Sequence, residues 1–294
     1  MVDGLLTNTR SRMAAWLSGE GIEIGALHHP LAVPARAKVT YVDRLSESDL
    51  RVHYPELAHE AFAPIQVVGS AEDLSAFSDS CLDFVIANHL LEHLEYPVRG
   101  LLEFQRVLRP GGLLYMALPD MRLTFDRDRD PSSVEHLLEE HRHGASVNRR
   151  AHYLDWSTNV EGKRGADADA HAEQLMDRDY SIHFHAWRPD SFLDFFVAAR
   201  LEFRLDFELV GYAVPERSED NEFILLLAKA DNGKVRLLPE PEAIHQALSL
   251  PPEPPPNPEP PAPSFRALLA SSPLGPPVRL AKRGLRLFRA PAHH

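Results

Sequence analysis

Two acids twenty residues apart, Glu23 and Asp43, sit at the ends of short apolar runs, in Gly21-Ile22-Glu23-Ile24-Gly25 and Val39-Thr40-Tyr41-Val42-Asp43. A carboxylate at the end of a second strand can accept both hydroxyls of a ribose as a bidentate pair. Gly25, without a side chain, lets the backbone approach a ligand closely. A third run ends in Gly69-Ser70-Ala71-Glu72, where the base of a nucleoside would lie. The loop after Gly25 reads Ala26-Leu27-His28-His29-Pro30 and lacks the full G-x-G-x-x-G pattern. A dinucleotide pyrophosphate needs that bare amide cradle. The loop therefore favours a phosphate-free nucleoside and leaves a nicotinamide oxidoreductase as the lesser alternative.

Short apolar runs alternate with helical patterns over residues 20–119, which implies parallel strands joined by helices. The expected strands are 21–24, 38–42, 65–68, 82–87 and 112–118. Val98, Leu101, Phe104 and Val107 recur at helical period, and Arg109-Pro110-Gly111-Gly112 stops that helix. A helix at 189–199 and two late strands at 205–213 and 222–230 complete the pattern. Residues 1–19 read as an entry helix with Met13, Ala14, Trp16 and Leu17 on its apolar side.

The longest continuous signal runs Leu82-Asp83-Phe84-Val85-Ile86-Ala87-Asn88-His89-Leu90-Leu91-Glu92-His93, then Leu101-Leu102-Glu103-Phe104-Gln105-Arg106-Val107-Leu108-Arg109-Pro110-Gly111-Gly112. Here the chain resembles the class I S-adenosylmethionine (SAM)-dependent methyltransferases of the type 11 branch, over roughly residues 20–120. The resemblance implies an α/β, Rossmann-like, doubly wound sheet of seven strands with the last antiparallel, to which the residues after strand five, poor in strand signals, add a helical insertion. It also implies SAM as cofactor. By position, Glu23 and Gly25 would lie by the methionine part and ribose, and Asp43 would hold the ribose hydroxyls. Ser70, Ala71 and Glu72 would border adenine, and Asn88 and His89 would face the reactive methyl. His93 reads as packing the turn after strand four, and Glu103 with Arg106 as a structural pair. Two departures stand out: Leu27 occupies the usual second glycine position, and the acid often found at Ser70 is absent. They motivate a rival reading, a non-catalytic relative that binds SAM or a partner.

Residues 120–188 are rich in His, Arg and Asp and form the expected lid and acceptor segment. Helical pieces are expected from a Ser132 or Ser133 cap to about 143, near 149–157, and near 168–177. A hydroxyl acceptor gains from a general base, and histidine suits neutral pH. The candidates are His152, His183 and His185; an extended 182–187 would put the last two on one face and Phe184 on the other. Hydrogen-bonded structural histidines are the alternative. A metal site, with His183-x-His185 and acids such as Asp120 holding Zn or Mg, is the third reading, but no ligand set has diagnostic spacing, so no metal is assigned. Tyr153, Trp156 and Trp187 would form an aromatic platform for a sugar or flat ring, or pack the lid. The HFHxW segment resembles bacterial methyltransferases of small molecules and glycans, which implies a sugar or natural-product hydroxyl as acceptor.

The chain has 294 residues, 44% of them hydrophobic, enough for one large α/β domain, and these readings put it at residues 1–250. A net charge of −12 argues against a nucleic-acid partner. A single cysteine, Cys81, excludes an internal disulfide and fits a reducing cytoplasm. No signal peptide is evident at the start. Residues 251–263, PPEPPPNPEPPAP, read as an extended linker. Residues 264–294 carry six Arg or Lys and no acid. That basic tail is either a solvated flexible segment or a match for an anionic membrane surface or acidic partner.

Overall fold

A computed structural model describes residues 9–57, 59–144, 148–215 and 221–230. The Pro-rich linker, the basic tail and the first part of the entry helix lie outside the described residues. Seven strands form one sheet: β1 (Gly19–Ile24), β2 (Ala37–Asp43), β3 (Ile65–Val68), β4 (Leu82–Asn88), β5 (Leu108–Pro119), β6 (Phe207–Ala213) and β7 (Glu222–Lys229). Their order is β3-β2-β1-β4-β5-β7-β6. β1 to β5 pair in parallel, and β7 runs antiparallel between β5 and β6. The expected sheet is therefore present. Strand β5 starts earlier than the turn signal suggested, with Leu108 already paired to Leu82 before a register shift.

Strand period two explains how the central strands serve two cores. Val85, Ala87, Leu114, Met116, Leu225 and Leu227 face one apolar cluster. Phe84, Ile86, Tyr115, Ala117, Ile224 and Leu226 face another. Helices α3 (Pro97–Val107) and α7 (Pro189–Phe203) fill the first core. Val98, Leu101, Phe104 and Val107 come from α3, and Phe192, Phe195, Phe196 and Ala199 from α7. Helix α1 (Thr9–Ala14), the residues just after it and Leu31 cover the second core with Ala14 and Leu17. Trp16, expected on the apolar side, is 68% exposed, because the helix has ended before it. Helix α2 (Glu47–His53) follows β2, with Ser46 as its N-cap.

Between β5 and α7 lies a helical insertion: α4 (Val134–His143), α5 (Arg149–Asp155) continuing into a π-helical turn (Trp156–Val160), and α6 (Gly165–Asp177). Ser133 caps α4 by accepting the His136 amide. The insertion leaves and rejoins the sheet at one point, where Asp120 bridges Trp187 and the Met121 amide donates to the Trp187 carbonyl at 2.9 Å. It has its own small core of Tyr153, Trp156, Ala172, Ile182 and Phe184. No helix among the described residues is long and apolar enough to cross a membrane.

Candidate functional site

Parallel strands β1, β2 and β4 end on the same edge, and a cavity of about 460 Å³ opens there. That volume suits a small-molecule cofactor. Gly25, Asp43, Ser70, Ala71, Glu72 and His89 all line it. The insertion supplies the facing wall with Arg149, Tyr153, Asp179, Tyr180 and Phe184.

The strand-end wall is shaped by backbone. Gly25 has φ +70°, and its amide donates to Val42 at 2.9 Å. Leu27 and His89 both have φ +46°, in the left-handed region where a side chain costs energy. Leu27 thus keeps the conformation expected of the missing glycine, held by burial among Leu50, Tyr54 and Leu57. Glu23 and Asn88 sit behind this wall and do not line the cavity. Both Glu23 oxygens accept the Leu31 amide at 2.9 and 3.1 Å, and Oε1 accepts Asn88 Nδ2 at 3.3 Å. They fasten the 25–31 loop to β1 and β4. Burial pushes the Glu23 carboxyl up to about 7.

Asp43 faces the cavity with 6% exposure. Burial raises its carboxyl to about 6, opposed by backbone donors at Leu45 and Arg44. In the loop after β3, the Ser70 hydroxyl accepts the Glu72 amide at 3.1 Å. Glu72 Oε1 accepts the Tyr96 amide at 3.0 Å and so ties this loop to the start of α3. Glu103 pairs with Arg106 at 2.8 Å, as the sequence suggested.

His89 carries a second arrangement. Its Nε2 lies 2.8 Å from Glu222 Oε2 at the start of β7, and Arg10 holds the same carboxylate. Arg10 and His89 keep Glu222 down at about 2 despite burial. The ionised Glu222 can only accept, so His89 Nε2 carries the proton and Nδ1 is left as the acceptor nitrogen. The nearest acid to Nδ1, Glu92, is 3.8 Å away, beyond a hydrogen bond. Burial lowers the His89 pKa, which keeps the ring neutral near pH 7.

None of His152, His183 and His185 lines the cavity, and the 182–187 segment does not put His183 and His185 in one place. His183 Nδ1 meets the buried Asp126 at 2.7 Å. His152 Nε2 meets the buried Glu140 at 2.7 Å. His185 is fully buried with its Nε2 3.6 Å from the other Glu140 oxygen. Phe184, between them in sequence, faces the cavity instead. Of the expected aromatic platform only Tyr153 reaches the cavity; Trp156 and Trp187 are buried in the cores. His93, read as a turn residue, does line the cavity, with Nδ1 donating to the Ile182 carbonyl at 2.8 Å. No local pattern of residues marks Glu222, which meets His89 from 133 residues away. Nor does one mark the ionic group at the mouth, where Asp179 pairs with Arg44 and Arg149, and Arg149 with Glu95 at 3.1 Å.

These residues suit a phosphate-free nucleoside: a glycine without side chain, a carboxylate poised for a diol, and an uncharged Ser70-Ala71 border. Residues 18–116 match the model of the methyltransferase domain family. No curated protein matches the chain. The solved structures that resemble it distantly include the following two. One is a Bacillus halodurans protein assigned as a methyltransferase, at 16% identity over 76% of this chain and 99% of its own, with TM-score 0.43. The other is a SAM-dependent methyltransferase of Methanosarcina mazei, at 18% identity over 72% and 93%, with TM-score 0.38. The matched segment makes residues 18–116 a methyltransferase domain, so the chain is an enzyme whose methyl donor is S-adenosylmethionine.

Proposed function

We propose that the enzyme methylates a hydroxyl of a small polyhydroxylated acceptor, a sugar or a sugar-bearing natural product, with His89 as general base. The Glu222–His89 pair carries this reading. A carboxylate fixing one imidazole nitrogen leaves the other ready to take a proton, and a hydroxyl must lose its proton as it is methylated. A carboxylate acceptor would need no such base.

SAM supplies an electrophilic methyl group on a sulfonium. Gly25 gives its backbone room, Asp43 accepts the ribose hydroxyls, and Ser70, Ala71 and Glu72 border the base. Glu23 and Asn88 act one step back, by holding the 25–31 loop. The chain then contributes orientation and a proton acceptor. The insertion wall supports the acceptor class. Tyr153, Tyr180 and Phe184 offer ring faces, and Arg149, Asp179 and Glu95 offer charged hydrogen-bonding groups. Ring faces edged by such groups suit a polyhydroxylated ring.

The test is a kinetic comparison with a panel of sugar and glycoside acceptors. Asparagine tolerates positive φ, so His89→Asn preserves the backbone. It should lower kcat by about 10²- to 10⁴-fold and change SAM affinity by less than about threefold. Glu222→Gln should move the pH profile and lower kcat less. Unchanged kcat in His89→Asn removes histidine from the reaction, and methylation confined to amines or carboxylates removes the acceptor class.

A further inference from the structure

Behind the insertion wall four side chains converge without any role in the reading above. His136 and Glu140 lie one turn apart on α4, His152 on α5, and His185 in the segment leading to α7. Each can place one nitrogen or oxygen so that all four atoms lie within 4.8 Å of one another. Around the Glu140 carboxylate, His152 Nε2 is at 2.7 Å, His136 Nε2 at 3.1 Å and His185 Nε2 at 3.6 Å. Neighbouring ligands of a tetrahedral zinc ion, each about 2.0–2.1 Å from the metal, stand about 3.3 Å apart. The observed spacings bracket that value.

The cluster is not explained by its own hydrogen bonds. Both ring nitrogens of His185 are buried with no partner, and so is Glu140 Oε2. A buried imidazole and a buried carboxylate oxygen left in this state each cost free energy. A dication would satisfy both. Glu140 and His185 are closed off from solvent, whereas the His136 side chain is 34% exposed and gives an ion a way in.

We propose that His136, Glu140, His152 and His185 bind one zinc-class dication as a four-coordinate structural site. Three imidazoles and one carboxylate suit a borderline metal, and a full protein shell leaves no position open for chemistry. The ion clamps α4, α5 and the 182–186 segment together. His152 precedes Tyr153 and His185 follows Phe184, and both of those neighbours line the cavity. The metal therefore fixes the insertion wall without touching cofactor or acceptor. This goes beyond the methyl-transfer reading and stands or falls separately from it.

The experiment uses the full, tag-free chain, grown with added zinc and desalted, with metal content by mass spectrometry. The expected result is about one equivalent of zinc or another first-row dication. Glu140→Gln and, separately, His185→Asn should each lower affinity for added zinc at least tenfold, while His293→Asn/His294→Asn leaves it unchanged. Chelation should lower the thermal midpoint by roughly 8 °C, restored by zinc. Cobalt(II) added to the chelated protein should give the visible bands of a tetrahedral site. A folded protein with no stoichiometric transition metal that gains no stability from zinc overturns the proposal. So does metal retained unchanged in both folded ligand variants.

Discussion

The two walls of the cavity are made by different means. The strand-end wall is a product of backbone conformation: Gly25, Leu27 and His89 all have positive φ, and backbone amides donating to Glu23, Ser70 and Glu72 fix the loops between them. The insertion wall is a product of buried charge. Arg129, 7% exposed, donates to Asp126 at 2.8 Å, to Asp155 at 2.6 Å, and to the carbonyls of His183 and Phe184 at 2.8 and 3.2 Å. Asp126 in turn holds His183. A wall made from backbone presents the same groups whatever side chains surround it, which suits an invariant cofactor. A wall made from paired side chains can be rebuilt for another acceptor without disturbing the sheet.

That contrast can be broken most directly at Asp126. Its carboxyl is held down at about 2 by His183 and Arg129. Asp126→Ala leaves a buried guanidinium without a main partner and should cost about 3–5 kcal/mol in urea unfolding. A cost below about 1 kcal/mol would show that the insertion is held by apolar packing instead. The same group gives a pH signature. Because its folded pKa is depressed, its stabilisation is present above the ordinary aspartate range and fades as pH falls through about 2.

On the other wall the carboxyl is shifted the opposite way, upward. Asp43 is raised to about 6 by burial, so the free enzyme takes up a proton there as pH falls through 6. The ribose hydroxyls need the ionised form as acceptor. SAM affinity should therefore be flat above pH 7 and fall about tenfold per unit below 6, read by calorimetry at each pH. Affinity independent of pH down to 5 would detach Asp43 from the ribose.

The smallest effect separates backbone from packing at Leu27. Both Leu27→Ala and Leu27→Gly remove a buried side chain, but only glycine relieves the left-handed φ. Leu27→Gly should be the more stable of the two by about 1 kcal/mol in thermal unfolding. The opposite order would mean that the loop relaxes to ordinary backbone once the leucine is gone.

The same difference explains what could be read from the residues alone. Backbone-built features are local: strand runs ending in Glu23-Ile24-Gly25 and Val42-Asp43, and the 82–112 motif, are visible within a few residues. Six of the eight expected cofactor positions line the cavity for that reason. Glu23 and Asn88 were legible as strand ends but not as fasteners, because their partners are Leu31 and each other. The buried histidines meet acids outside their own local motifs. In the insertion His152 meets Glu140 across 12 residues and His183 meets Asp126 across 57, and at the end of β4 His89 meets Glu222 across 133. The residues alone place helical pieces near α4, α5 and α6, but nothing in them says which carboxylate each imidazole will find.

The central claim is that strand-end residues clasp a sulfonium nucleoside, and titration of the folded enzyme with S-adenosylhomocysteine in a calorimeter at pH 7.5 tests it. One site is expected, with Asp43→Asn weakening it about 30-fold through two lost charge-assisted hydrogen bonds. No binding by the folded wild-type chain, or equal binding by Asp43→Asn, would contradict the account.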